Sequence, residues 1–372
     1  MLPRRSPADR LIPTVAGMCA RARDPLELFE RVAGVVRRAI PYSAAGWILI
    51  DPDTMLITDV YAEHVEPSLH RELIACELTE DDVNTFWQLA RDGVAAAALS
   101  ISTGGDLARS ARWAQLYGPR GYGDELRAVF ATGRVVWGHA CLTRRAEDPP
   151  FTPAEVAVVA AIAPHLGNGI RAGHLLGGLT GGVAVDSPAL IVLDDDGTVV
   201  SLTPQAREWL GPPEQADAAI VLHEVAQQAR SLADGAPRDD ATIHPAMARA
   251  RSRAGDWLVI RGARLSDATA EGRPGTTALV LEPARRGDLA PLLLSLRQLT
   301  DREREVTHLL LTGASTSAIA ERLWISPETL RGHVKSVFAK LEVSSRPELA
   351  ALLSHQPRSR ARPPAPAARR AP

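Results

Sequence analysis

Lysine is almost missing from this chain: of 42 basic residues only Lys335 and Lys340 are lysines. Residues 26–284 therefore cannot supply the lysine that a phosphoreceiver domain needs beside its acidic pocket, and Asp194-Asp195-Asp196 is better read as a turn. No Gly-x-x-x-x-Gly-Lys-[Ser/Thr] run occurs, so the loop that cradles nucleotide phosphates in P-loop ATPases is lacking. Aromatic residues make up only 4%, and no cysteine or histidine stands out as an anchor for flavin or haem, so no cofactor is expected. Cys19, Cys76 and Cys141 are widely spaced, without a CxxC pair, which argues against a disulfide framework or a metal finger and fits a reducing compartment. His64 and His70, six residues apart, suggest no metal site, and Cys141 reads as a buried structural thiol. No apolar run approaches the ~20 residues that span a bilayer, and the first ten residues lack the apolar core of a signal peptide. The expectation is a cytoplasmic protein away from membranes. No nucleophile triad or carboxylate pair has a local signature, so the chain is not expected to be an enzyme.

What is present is an ordinary globular composition, 45% hydrophobic and 23% charged over 372 residues, enough for two or three domains. The richness in Arg, Ala, Gly and Pro is that of a high-GC bacterial genome. Charge is unevenly divided. Residues 297–372 hold 13 basic and 7 acidic side chains, a balance of +6, which leaves −8 on the rest of a chain whose net charge is −2. An acidic body joined to a basic module suits a regulator that meets nucleic acid at one end.

In chain order, residues 1–25 read as an irregular lead-in with a short helix. Leu28, Phe29, Val32, Val35, Val36 and Ile40 recur at helical spacing; Ala45–Ile50 and Met55–Tyr61 follow as strands around the turn Asp51-Pro52-Asp53. Helical segments are expected over 68–93 and 107–117, then a hairpin of 124–132 and 134–143 about Gly133. Thr152-Pro153-Ala154-Glu155 opens a helix with a capping box and proline at its first position. Gly177-Gly178-Leu179-Thr180-Gly181-Gly182 is the best domain boundary. Beyond it come strand, Asp194–Gly197 turn and strand, a helix begun by Thr203-Pro204, a helix near 219–232, and strands near 246–251, 257–265 and 276–281. Leu289, Leu292, Leu293, Leu296 and Leu299 stripe a short helix over 286–298. Residues 354–372, rich in Pro, Ala and Arg, are expected to be disordered.

The C-terminal part carries the sharpest signals. Thr300 and Glu303 form a capping box, Ser315 caps a second helix with Ile319 and Leu323, and Ser326-Pro327 starts a third. Two helices about a tight Leu-Trp-Ile-Ser turn describe a helix-turn-helix. On the third helix Leu330, Val334, Val337 and Leu341 fall on one stripe; Glu328, Arg331, Gly332 and Lys335 oppose them; Thr329, His333, Ser336 and Lys340 line a flank. An apolar back with a cationic front and polar flank suits a major groove, arginine or lysine meeting guanine and the flank meeting phosphate. Leu299-Thr-x-Arg302-Glu303-x-Glu305-Val306, Gly313, Ile319-Ala320, Leu323, Ser326-x-x-Thr329, His333 and Lys340-Leu341 with Arg346 resemble, in order and spacing, the DNA-binding domain of LuxR-type transcriptional regulators over residues 297–353. The resemblance implies that Arg331, Gly332 and Lys335 face the bases; Ala318, Leu330 and Gly332 depart from the family's usual residues. Asp124–Val129 with Val136-Trp137-Gly138, and Phe151-Thr-x-x-Glu155 with Ala163-Pro164-His165-Leu166, resemble a GAF-type sensory domain. Leu193-Asp-x-x-Gly-x-Val199 and the element order after it resemble a PAS domain.

The expectation is thus a multidomain α+β protein: lead-in 1–25, GAF-like α/β sandwich 26–175, PAS-like antiparallel sheet with helices 183–284, linker helix 286–298, all-α four-helix helix-turn-helix domain 299–353, and tail 354–372. Its function is to bind double-stranded DNA, as a homodimer, under control of the N-terminal domains. The expected DNA-binding residues are Ser326, Thr329, Arg331, Gly332, His333, Lys335 and Lys340. Trp47, Trp137 and His139 are the candidate walls of a small-molecule pocket, with plain core packing as the alternative for each. The rival reading has the N-terminal domains bind no ligand and serve dimerisation or contacts with RNA polymerase or another regulator.

Overall fold

The computed structural model describes residues 7–79, 82–176, 189–212, 216–235, 245–265 and 275–353. The glycine-rich boundary at 177–182 and the tail at 354–372 lie outside them. The chain forms two compact units, residues 1–284 with 291–298, and residues 285–290 with 299–372.

The first unit begins with α1 (Pro7–Cys19) and α2 (Pro25–Ala39). Asp24 starts α2 by accepting the amides of Leu26 and Glu27, and Pro25 takes the position where a missing N–H is harmless. Strands β1 (Ala44–Ile50) and β2 (Ile57–Glu63) follow. Where one helical stretch over 68–93 was expected there are two helices, α3 (Pro67–Thr79) and α4 (Phe86–Asp92). The reason is local: Thr85 and Gln88 form a second capping box, and Asn84 sits at φ 58°, outside helical geometry. Next come β3 (Ala96–Ala98), the short α5 (Leu99–Ser102), β4 (Tyr122–Thr132) and β5 (Val135–Arg145), with Gly133 at φ 62° turning the hairpin. The long α6 (Pro153–Leu176) closes this part, begun by reciprocal bonds between Thr152 and Glu155.

These strands make one antiparallel sheet in the order β2-β1-β5-β4-β3. Its register places Trp47 opposite Ala140 and Ile48 opposite His139. One face carries Trp47 and Phe130, stacked 6.1 Å apart, with Phe29 of α2 at about 6 Å from each. On the other face Ile50, Val129 and Val136 meet Phe86 and Leu89 of α4.

The second sheet comprises β6 (Ala189–Leu193), β7 (Val199–Leu202), β8 (Met247–Arg251), β9 (Trp257–Arg264) and β10 (Thr277–Pro283), with α7 (Pro204–Leu210) and α8 (Ala216–Ala233). Its order, β7-β6-β10-β9-β8, repeats that of the first sheet position for position. One core runs through both: Leu56, Ile57, Val60 and Ile74 pack with Ile220, Val221 and Val225 of α8.

In the second unit α10 (Asp301–Leu311), α11 (Thr316–Arg322), α12 (Pro327–Leu341) and α13 (Arg346–Leu353) form the helical domain; α9 (Arg286–Leu296) precedes it and divides between the two units. Val306, Leu310, Ile319, Leu330, Val337, Leu341 and Leu349 are among its buried side chains. The fold is therefore mixed helix and sheet, with two antiparallel sheets followed by a helical helix-turn-helix region. No helix among the described residues is long and apolar enough to cross a membrane.

Candidate nucleic-acid interface and sheet cavity

Helix α12 is started by Ser326, whose hydroxyl accepts the Thr329 amide at 3.1 Å and meets the Thr329 hydroxyl at 2.9 Å. Its back is fixed by Leu330, Val337 and Leu341, all buried. Glu328, Thr329, Arg331, Gly332 and Lys335 are exposed, so the front expected from the 100° spacing is open along two turns. Arg331 pairs only with its exposed neighbour Glu328 on the same helix; such a pair is worth about 0–1 kcal/mol and gives way readily to another acceptor. Lys335 makes no ion pair among the described residues. A β-carbon added at Gly332 would meet nothing within 4 Å. His333 is half-buried.

Two residues of the expected flank are placed differently. Lys340 donates to Glu303 Oε2 at 2.6 Å, and Ser336 donates to Glu303 Oε1 at 2.6 Å. Glu303 also accepts the Thr300 amide at 2.7 Å, completing the capping box of α10. Burial pushes this carboxyl upward, but the bonds from Lys340, Ser336 and Thr300 outweigh it and hold the group down at about 2. Lys340 is thus a brace between α10 and α12 rather than a free cation, and the flank offered to phosphate narrows to Thr329 and His333. Two arginines brace the same domain, Arg302 donating to the Leu323 carbonyl and Arg346 to the Ala314 carbonyl at 2.8 Å. Sequence reasoning missed these because each bond joins residues more than twenty positions apart.

On the first unit, Trp47 and Trp137 are completely packed, at 2% and 0% exposure. Trp47 stacks on Phe130 and meets Phe29 at a tilt, and Trp137 lies 6.3 Å from His174, which in turn lies 5.8 Å from Trp257 of the second sheet. Both are core residues. His139 is on the opposite face, stacked on Phe86 at 4.0 Å, its Nδ1 without a partner. Burial, then the nearby Arg127, hold it down at about 3, so its ring is neutral.

A partly open, largely apolar cavity of about 90 Å³ does exist, lined among others by Ile48, Val60, Leu69, Tyr117 and Cys141, with Ile220 of α8 as its wall from the second sheet region. None of the three expected pocket residues lines it; the bulge in β4–β5 near Phe130 and the alternation of strand faces turn the tryptophans away. Beneath it lies a buried charge cluster. Arg112 donates to Glu125 Oε2 at 2.6 Å and to Asp82 at 2.8 Å; Arg127 donates to Glu125 at 3.0 Å and to Glu77 at 2.6 Å. Burial raises the Glu125 carboxyl, yet Arg112 and Arg127 more than compensate, and it sits at about 2. Tyr117 and Cys141 both reach Glu125 Oε1, at 3.2 and 3.0 Å. Burial, with Glu125 close by, pushes both of these groups up, so they stay protonated. A wider depression of about 760 Å³ against β7 and α7 opens broadly to solvent. No cluster of three or more His, Cys, Asp or Glu suited to a metal ion occurs among the described residues.

Four helices braced around a capped, open-fronted α12 define a helix-turn-helix DNA-binding domain. Residues 297–353 match the pattern of the bacterial regulatory proteins of the luxR family. Among curated relatives, the Escherichia coli nitrate/nitrite response regulator NarL is 38% identical over 79 residues, 21% of this chain and 36% of that protein. The Bacillus subtilis spore germination protein GerE is 46% identical over 48 residues, 13% of this chain and 65% of that one. The chain thus spans about a third to two thirds of the length of these two relatives. Solved structures similar to the chain include a GAF domain/HD domain protein from Geobacter sulfurreducens, 16% identical, covering 43% of this chain and 98% of that one with a TM-score of 0.33. Another is the Vibrio cholera VqmA–ligand–DNA complex, 18% identical over 45% of this chain and 81% of that one, TM-score 0.22. Likeness of that degree transfers no residue's role.

Proposed function

We propose that this protein is a sequence-specific DNA-binding transcriptional regulator, without catalytic activity, whose N-terminal sheet domains control its helix-turn-helix. The observation that carries the reading is α12: Leu330, Val337 and Leu341 are buried, with Val334 half-buried beside them, while Arg331, Gly332 and Lys335 stand open on one face. Arg331 and Lys335 read base edges, Gly332 lets the helix backbone approach them, and Ser326, Thr329 and His333 contact the backbone of the duplex. Lys340 acts through its bond to Glu303. Selection of bound fragments from a random duplex pool tests this. Arg331→Ala is expected to lose about 1–3 kcal/mol at the selected site and to relax one base position; an unchanged base preference would overturn the assignment of Arg331.

The domain assignment we infer is GAF-like for residues 26–175 and PAS-like for 183–284, supported by the shared strand order of the two sheets. The signal is a small, neutral, largely apolar molecule bound in the 90 Å³ cavity. Tyr117 and Cys141 spend their protons on Glu125, so what they offer the ligand is acceptor lone pairs. The Glu125 charge is already balanced by Arg112 and Arg127, and a charged ligand would find no partner there. The competing reading, domains that serve only dimerisation or polymerase contact, requires that no small molecule alter DNA affinity. A homodimer fits a two-fold operator. Leu349 and Leu353 are taken up by packing within the unit, so a dimer contact on α13 falls to Ala351 and Leu352.

A further inference from the structure

Trp324 is unlike every other tryptophan in the chain. It is 94% exposed, whereas Trp47, Trp137 and Trp257 are buried at 3% or less. It is the only tryptophan between residues 299 and 353. Its φ is 53°, in the left-handed region that glycine and asparagine enter easily and an aromatic residue does not. Among the described residues its ring meets no aromatic or cationic partner. The turn is held by Trp324 N to the Glu321 carbonyl at 3.1 Å, by Ile325 N to the Ala320 carbonyl at 3.0 Å and by Arg302 donating to the Leu323 carbonyl, bonds in which the indole takes no part. The fold therefore gains nothing from this side chain and would be served better by glycine.

Its position suggests what it does serve. Trp324 lies two residues before Ser326, the cap of α12, at the end of the helix whose N-terminal residues enter the groove in a helix-turn-helix. The neighbouring exposed side chains on that side are Ser326, Thr329 and Arg331, continuous with the face already assigned to DNA. Duplex DNA offers one apolar feature at the mouth of the major groove, the 5-methyl group of thymine.

We propose that Trp324 is a specificity-determining residue that packs its indole on the 5-methyl group of a thymine at the edge of the half-site. This rests on the reading of α12 as the helix that enters the groove. Trp324→Gly removes the ring and suits the turn. Burial of about half of the 150–250 Å² of such a ring corresponds to roughly twenty- to two-hundredfold in affinity at 25 cal/mol per Å². An uncharged contact releases no counterion, so the slope of log affinity against log salt stays unchanged.

The test uses the full chain and a duplex selected from a random pool. Trp324→Gly is expected to bind about twenty- to two-hundredfold more weakly, with the wild-type salt slope and an undiminished unfolding temperature. Replacing thymines by uracil one at a time should weaken the wild type several-fold at one edge position and leave Trp324→Gly indifferent there. DNA-induced change in tryptophan emission should vanish in Trp324→Phe. Equal affinity of Trp324→Gly and wild type, a reduced salt slope, or no uracil position whose effect depends on Trp324 would each overturn the proposal. Failure of the wild type to select any duplex would overturn the reading of α12 itself, a result distinct from those three.

Discussion

Glu303 shows how one carboxylate can hold a DNA-binding domain together. It belongs to the capping box of α10 and, through Ser336 and Lys340, reaches α12. Its pKa is depressed from the ordinary carboxylate range to about 2. A depressed folded-state pKa contributes stability that is present above the unfolded value and is lost as pH falls from there toward 2. Wild type should therefore lose stability between about pH 5 and pH 2 more steeply than Glu303→Gln, as read by thermal unfolding across that range. Lys340→Ala is expected to destabilise the helical domain by about 1–3 kcal/mol. Because its ammonium is already matched by Glu303, the substitution should leave the salt slope of DNA binding intact; a slope reduced by one would return Lys340 to the phosphate contacts. Gly332 is the opposite case. An added β-carbon meets open space, so Gly332→Ala should raise stability by about 0.8–1 kcal/mol in denaturant unfolding. If the helix backbone approaches the bases there, the same substitution weakens specific DNA binding.

Helix α8 is the element that joins the two sheet regions. Its Glu224 accepts the amide of Ile57 at the start of β2, and its Ile220 walls the cavity. Nearby, Asp51 takes Arg249 Nη1 at 2.8 Å and the Arg249 amide at 3.1 Å, both side chains almost fully buried. Burial pushes the Asp51 carboxyl up, against the opposing pull of Arg249 and its backbone donors. Breaking such a pair from one side strands a buried charge. Asp51→Ala should destabilise the first unit by about 3–5 kcal/mol, whereas Asp51→Leu with Arg249→Met should come close to wild type, because the double change removes both desolvation penalties. Equal losses in the two variants, measured by chemical denaturation, would show that the pair is not acting through stranded charge.

At the scale of the whole molecule, the proposed control of DNA binding by the sheet domains would be read as a coupling free energy. A ligand of the cavity changes operator affinity only through its different affinity for two states, typically 1–3 kcal/mol or about 5–150-fold, and the operator changes ligand affinity by the same factor. Ile220→Trp, which should fill the cavity, is expected to abolish any response of operator binding to metabolite extract while leaving binding by the unliganded protein measurable. A response that survives in this variant would place the signal elsewhere.

The helical domain was legible from the sequence because its markers are local. Thr300 with Glu303, Ser315 with Ala318 and Ser326 with Thr329 are bonds across three residues, and the buried stripe of α12 follows from 100° per residue. The same holds for Asp24 before α2, for Gly133 in its hairpin and for the strand-turn-strand at Gly197. What the chain alone could not decide is which face a strand residue takes once a bulge intervenes, as at Trp137, or which distant group claims a charge. Arg249 finds Asp51 across 198 positions and Lys340 finds Glu303 across 37. No periodicity encodes such pairings; they come from how strands pack in the first unit and helices in the second, and from the cost of burying an unpaired charge. The sequence by itself determined where the helices begin and which of their sides are apolar. Only the tertiary structure decided which side chains brace the domains, which wall the cavity, and which are left facing solvent.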